Sequence, residues 1–183
     1  MNFCSHCGAR VERMVPEGDD RERYVCPNCA TVHYQNPRIV AGTLINAGSR
    51  VLLCRRAITP RRGYWTLPAG FMENAETTFE AAIRETREEA CAEIGGLSLY
   101  ALFDLPHIDQ VYMIFRGELK SGYAPGPESL DVALFEEHEV PWDELSFPTV
   151  ETTLRYFYTD RRRGEYPLHR ETIARPPSGF FSR

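Results

Sequence analysis

No stretch of this 183-residue sequence approaches the roughly 20 apolar residues that a bilayer-spanning helix needs. The opening Met1-Asn2-Phe3-Cys4 lacks the basic and apolar regions of a secretory signal, so a cytoplasmic location is expected and a membrane partner is not. Positive charge is also in deficit. Against 26 Asp and Glu stand 21 Lys and Arg, giving a net charge of −5 at pH 7 and a pI near 5.6. An acidic chain is a poor scaffold for broad phosphate-backbone binding, so nucleic acid is not the expected partner. A small polyanion could still be held where a metal or local arginines neutralise it. The sequence has no internal repeat and no low-complexity tract.

Six cysteines are present, and four of them form two tight pairs, Cys4/Cys7 and Cys26/Cys29. In a reducing compartment such pairs read as metal ligands before they read as disulfides. Two C-x2-C turns can bring four thiolates into a tetrahedron around Zn²⁺, with Gly8 and Pro27-Asn28 supplying the knuckle turns. A closed four-thiolate site has no open position, so this zinc is expected to be structural. The polar stretch between the pairs has little to bury, and metal binding would supply its folding energy. Cys54 and Cys91 stand alone and read as packing residues.

Three parts follow: a zinc ribbon over 1–34, a main domain over 37–163 and a C-terminal tail over 164–183. Ile39–Ile45 and Val51–Cys54 read as strands of a hairpin around Asn46-Ala47-Gly48-Ser49. Further strands are expected at Trp65–Pro68, Leu97–Leu105, Gln110–Leu119 and Val132–Phe135, with a short turn or helix at Trp142–Leu145. Thr77–Ala90 reads as a helix that buries Phe79, Ile83, Thr86 and Ala90 and opens with a Thr77/Glu80 capping box. Val150–Arg163 reads as a second helix, with Leu154, Phe157 and Tyr158 on one face and Gly164 at its C-cap. Strands mixed with flanking helices predict an α/β sandwich.

The first helix carries Glu85, Glu88 and Glu89 at i, i+3 and i+4, which crowds three carboxylates onto one face. For an arbitrary acidic helix this would be a solvated face, paired here with Arg84 and Arg87. Gly70 and Glu76 at fixed offsets upstream favour the other resolution, a divalent cation held by hard oxygen ligands. Gly70, Glu76, Arg84, Glu85, Glu88 and Glu89 match the motif of the Nudix hydrolases, and the segment resembles their signature box. Thr86 and Ala92 stand where the box has aliphatics, and Cys91 where it has glycine. The resemblance implies an α/β/α sandwich with a mixed sheet, and a metal-dependent pyrophosphatase. It also implies that Glu85, Glu88, Glu89 and the Gly70 carbonyl hold Mg²⁺ or Mn²⁺, with Glu88 and Glu89 catalytic, while Arg84 and Glu76 brace the loop as an ion pair.

Within the family, a ribbon before the domain resembles two branches. One contains the NAD(H) pyrophosphatases that also remove NAD caps from RNA. Its Ser-Gln-Pro-Trp-Pro-Phe-Pro-x-Ser run is absent, and Phe103–Gln110 stands there instead. The other is the plant chloroplast FAD/ADP-ribose pyrophosphatase branch. It is similar at Phe3–Gly8, Tyr34–Pro37, Trp65–Gly70, Pro125–Leu130 and Ile173-Ala-Arg-Pro176. That second likeness implies hydrolysis of FAD to FMN and AMP, or of ADP-ribose to AMP and ribose 5-phosphate. Relatives with the ribbon are commonly dimers, so a homodimer is expected.

Glu128 is expected to aid metal binding or water activation, Arg56 (beside Arg55) to contact phosphate, and Phe71 and Tyr112 to stack on a flavin or adenine. Against these stand plainer readings: an exposed loop carboxylate, surface arginines and core aromatics. A further alternative is a catalytically dead, nucleotide-sensing domain joined to a nucleic-acid-contacting ribbon. The ribbon mixes Arg10, Arg13, Arg21 and Arg23 with Glu12, Glu17, Asp19, Asp20 and Glu22, and so forms no basic patch.

Overall fold

The computed structural model describes residues 1–174; Arg175-Pro176 and Phe180-Phe181, the latter expected near the core, lie outside the described residues. Two compact units are present, Met1–Pro37 and a second beginning at Arg38.

The first unit is an antiparallel meander of β1 (Glu12–Met14), β2 (Arg23–Val25) and β3 (Val32–His33). Cys4 and Cys26 are its only buried residues. Apolar burial therefore cannot hold this unit together, and cross-linking through the cysteines must.

The second unit is an α/β/α sandwich around an eight-stranded mixed sheet. Its strands are β4 (Arg38–Ala47), β5 (Arg50–Arg56), β6 (Trp65–Thr66), β7 (Ala69–Phe71), β8 (Ile94–Leu105), β9 (Gln110–Leu119), β10 (Ser129–Phe135) and β11 (His169–Thr172). The main path runs β10-β5-β4-β9-β8-β11, with β4–β9 and β8–β11 parallel. Helix α1 (Thr78–Ala90) covers one face and α2 (Pro148–Arg163) the other. Along β4 the pleat alternates between them: Ala41, Thr43 and Ile45 face α1, whereas Leu44 joins the α2-side core.

Helix α1 buries a different face from the one its periodicity predicts. Thr77 caps the helix with both halves of the capping box, but Phe79 is 43% exposed and packs only edge-on against Phe115. Ile83 is half-buried. The buried face is instead Ala81, Ala82, Glu85, Thr86, Glu89 and Ala90. Small side chains let the helix lie close to the sheet, which leaves no room for a phenylalanine at the interface. In α2, Leu154, Phe157 and Tyr158 are buried, and Gly164 takes the left-handed C-cap conformation at φ 74°. The segment after residue 164, expected as a tail, contributes β11 to the sheet.

Thr86, which replaces an aliphatic of the box, has a partner. Its hydroxyl donates to the Ala82 carbonyl at 2.8 Å and lies 2.7 Å from the Thr43 hydroxyl on β4, both residues being fully buried. With that donor already committed, Thr86 accepts from Thr43. Removing the Thr86 hydroxyl strands that of Thr43, at a cost of about 1–3 kcal/mol. Thr86→Val is thus expected to destabilise more than the Thr43→Val/Thr86→Val double variant. Denaturant melts of the cycle should give a coupling of about 1 kcal/mol or more.

Candidate active site

The site begins where β4 meets β7. Ala41 pairs with Gly70 and Gly42 with Ala69, and a Cβ on Gly42 would collide with Ala69 and the Pro68 carbonyl. A Cβ on Gly70 would occupy the space taken by the Glu85 carboxylate. Glycine at 70 is therefore what lets α1 bring its acidic face against the backbone of β7.

Arg84 organises that face. Its guanidinium grips Glu76 at 2.7 and 3.1 Å, and donates to Glu85 at 2.7 Å, to Glu88 at 3.1 Å and to the Phe71 carbonyl at 3.1 Å. The pair holds Glu76 below the usual carboxylate range and raises Arg84 further. Glu85 and Glu89 are buried, whereas Glu88 is exposed. Burial pushes Glu85 up, although Arg84 opposes it. Glu89 rises to about 8, chiefly through burial and then through Glu85, despite a 3.3 Å hydrogen bond from the Ala69 amide.

The loop before β10 docks on the C-terminus of α1. The Ala124 and Gly126 amides donate to the carbonyls of Ala90 and Glu89 at 2.9 and 3.0 Å, satisfying acceptors a helix end leaves open. A Cβ on Gly126 would run into the Glu88 carbonyl. This close approach places Glu128 at the cleft, near enough to raise both Glu85 and Glu89.

These residues line a cavity of about 790 Å³. Arg56, Arg84, Glu85, Glu88, Glu89 and Glu128 are among its charged lining residues; Gly70, Phe71 and Tyr112 also line it. The Arg56 guanidinium donates to the Pro60 carbonyl and lies over Phe147. Arg38 covers the Phe71 ring at 4.4 Å. Tyr112 is half-buried on β9, and burial raises its hydroxyl. Glu76 is outside the lining and reaches the site only through Arg84. Sequence reasoning missed the Ala69 amide and the apolar wall of Leu105, Ile114, Val150 and Ile173, which reads in sequence as ordinary core.

In the ribbon, the Cys4, Cys7, Cys26 and Cys29 sulfurs lie within 4.8 Å of one another. Cys4–Cys29 and Cys7–Cys26 are 3.7 and 3.4 Å apart. Zn–S bonds of about 2.3 Å in a tetrahedron imply edges of about 3.8 Å, so the set fits zinc. The turns close through Gly8 N–H to the Cys4 carbonyl and Ala30 N–H to the Cys26 carbonyl. Thr31 pulls Cys29 down to about 6 through its hydroxyl and amide, and the Asn28 amide donates toward Cys7.

A mixed-sheet α/β/α sandwich, with helix-borne carboxylates converging on a cleft and a four-cysteine ribbon ahead of it, defines a two-module hydrolase class. The chain belongs to the Nudix hydrolase family: the NUDIX domain matches residues 35–161, and the Nudix N-terminal zinc ribbon matches residues 2–35. It is 31% identical over 168 residues to the human mitochondrial NAD(P)H pyrophosphatase NUDT13, covering 91% of this chain and 45% of that one. It is 32% identical over 125 residues to the NAD-capped RNA hydrolase NudC of Pseudomonas aeruginosa, covering 66% and 41%. It is also 32% identical to the ADP-ribose pyrophosphatase of Methanocaldococcus jannaschii, covering 63% and 69%. The chain thus spans less than half the length of the first two relatives. A crystal structure of a NUDIX hydrolase from Nitrosomonas europaea matches with a TM-score of 0.90 and 49% identity, covering 96% of this chain and all of that one. Among the described residues, no helix is long and apolar enough to cross a membrane.

Two outcomes follow from this geometry. The folded-state pKa of Glu89, about 8, exceeds the value near 4.3 expected unfolded, so between them the native state binds the extra proton. Without a divalent cation at the carboxylates, stability is expected to fall from pH 6 to pH 8, by ~2 kcal/mol at most. Added Mn²⁺ should raise Tm more at pH 8 than at pH 6, and Glu89→Gln should flatten both trends in thermal melts. For the ribbon, one zinc per chain is expected by metal analysis. Cys29→Ser should lower that content and speed amide exchange across residues 1–37 by ~100-fold or more, leaving β4–β10 protected.

Proposed function

We propose that this chain hydrolyses the diphosphate bridge of a nucleoside diphosphate conjugate. One observation carries the reading: Glu89 is buried yet opens onto the cleft beside Glu85 and Glu128, an arrangement costly for bare carboxylates and favourable around a cation. A divalent metal bound there supplies charge neutralisation of the phosphates and a water acidic enough to attack phosphorus in line.

Glu85, Glu88, Glu89 and the Gly70 carbonyl are the ligands in this reading, and hard oxygen donors suit Mg²⁺ or Mn²⁺. Glu128, delivered by the loop that docks on the end of α1, takes the proton from the attacking water. Arg84 fixes the rotamers of Glu85 and Glu88, and Glu76 fixes Arg84. Arg56 faces the phosphates. Phe71 and Tyr112 meet the base.

For the substrate, NAD(H) stands first and ADP-ribose second. NAD(P)H, NAD-capped RNA and ADP-ribose are the substrates in the names of the relatives given above, and FAD is in none of them. The comparisons therefore favour the NAD(H) branch over the plant chloroplast FAD branch that the sequence motifs suggested. The missing Ser-Gln-Pro-Trp run does not decide against NAD(H). The segment in its place contributes Leu105, His107, Ile108 and Gln110 to the cleft of this chain. A purely sensing domain has no need of Glu85, Glu88 and Glu89 on one face, the first two held by Arg84.

A panel of NADH, ADP-ribose and FAD, with Mg²⁺ and with Mn²⁺, tests the reading by product identification. AMP and reduced nicotinamide mononucleotide are expected from NADH. Glu89→Gln and Glu128→Gln should each lower kcat by ~10²–10⁴-fold. Tight dinucleotide binding without turnover under either metal would replace the enzyme with a sensor.

A further inference from the structure

We propose that β11 carries a wall residue of the substrate site: Ile173, just past its end, is a specificity-determining residue for the apolar half of the dinucleotide. This rests on the activity proposed above. Ile173 is 7% exposed, belongs to the α2-side core and also lines the cleft. Leu105, Ile114 and Val150 share both properties, so the cleft continues from the carboxylates of α1 onto an apolar surface made by the opposite layer. A nucleobase or a reduced nicotinamide ring, uncharged and flat, is the chemistry such a surface takes.

The strand that delivers Ile173 is short, and its own residues, His169 to Thr172, are half-buried or exposed. Pairing with the edge of β8, from His169↔Ala101 to Thr172↔Asp104, supplies backbone bonds, and the Ile173 amide extends them to the Asp104 carbonyl at 2.9 Å. The anchoring force comes from a polar clamp. Asp160, near the end of α2 and 3% exposed, accepts from the Tyr100 hydroxyl at 2.6 Å and shares a 2.6 Å hydrogen bond with His169 Nε2. The Tyr156 ring stacks on His169 at 3.9 Å and 7°, and its hydroxyl bonds Glu171. Through Asp160, α2, β8 and β11 are tied at one buried point, four residues before Ile173. None of these clamp residues lines the cleft, so their effect on substrate passes through the placement of Ile173. His169 is a positioning residue.

Steady-state kinetics on NADH and ADP-ribose test this in wild type, Ile173→Ala, Ile173→Leu and His169→Gln, with a thermal melt of each. Ile173→Ala is expected to raise KM for NADH roughly 10-fold with kcat within about twofold, as the loss of a few methyl groups from a pocket does. Ile173→Leu should recover most of the wild-type KM. His169→Gln should raise KM in the same way and speed amide exchange in β11. A role in folding alone would lower Tm and the active fraction while leaving KM where it was, and that result overturns the proposal. Wild type that cleaves neither compound overturns the activity itself, and the specificity role with it.

Discussion

Glu85, Glu88 and Glu89 share one face of α1, and two of them are taken out of water. Neighbours at this spacing sit about 5–6 Å apart, so an isolated helix would resist the arrangement. What permits it is Arg84, whose guanidinium makes five hydrogen bonds to Glu76, Glu85, Glu88 and the Phe71 carbonyl. Lysine, with a compact ammonium and three donors, could not fill that set. One arginine neutralises only part of the charge, however. Glu89 lies beyond its reach, and burial and the neighbouring Glu85 raise it to about 8. The domain is therefore built with an electrostatic deficit that a metal bound to a polyphosphate would remove.

That deficit explains features of the surrounding backbone. Gly70 has no Cβ because the Glu85 carboxylate stands there, and Gly126 has none because its loop lies on the Glu88 carbonyl. The loop in turn takes over two open carbonyls of α1, so helix termination and the delivery of Glu128 are one event. Cys91, at the position where the box pattern has glycine, adopts the left-handed conformation at φ 46° and ends the helix. The departures from the box thus leave the geometry of its carboxylates intact. Thr86 shows the same: its hydroxyl is matched by Thr43 across the helix–sheet interface.

Patterns confined to a few neighbouring residues were legible in the sequence. The carboxylates at i, i+3 and i+4, the Thr77/Glu80 capping box and the Gly164 C-cap depend on contacts within one or two helical turns. The cysteine pairs were legible because their spacing alone brings the sulfurs together. What escaped depends on partners far along the chain. Phe79 looked like a core residue by periodicity, but the interface is so tight that alanines fill it. β11 carries His-Arg-Glu-Thr, which has no strand signature; Asp160 and the free edge of β8 make it a strand. The apolar wall of the cleft was visible as hydrophobic residues. Nothing in their order distinguishes lining from core.

The cleft exists because the sheet divides. β4 pairs with β7 over Val40–Gly42 and with β5 over Ile45–Ala47, so along one edge it changes partner within a few residues. Between these pairings the chain from β6 to β7 crosses, held by the Thr43 amide on the Pro68 carbonyl, and Gly42 makes space for it. In an unbroken sheet the two helical layers would be sealed from each other. Here Glu89 on the α1 side and Tyr112, Val150 and Ile173 on the α2 side open onto a single cavity. A dinucleotide conjugate has the same division into a charged bridge and flat, uncharged ends. A fold that offers carboxylates from one layer and apolar side chains from the other can grip both parts at once, whereas a site confined to either layer would meet only one.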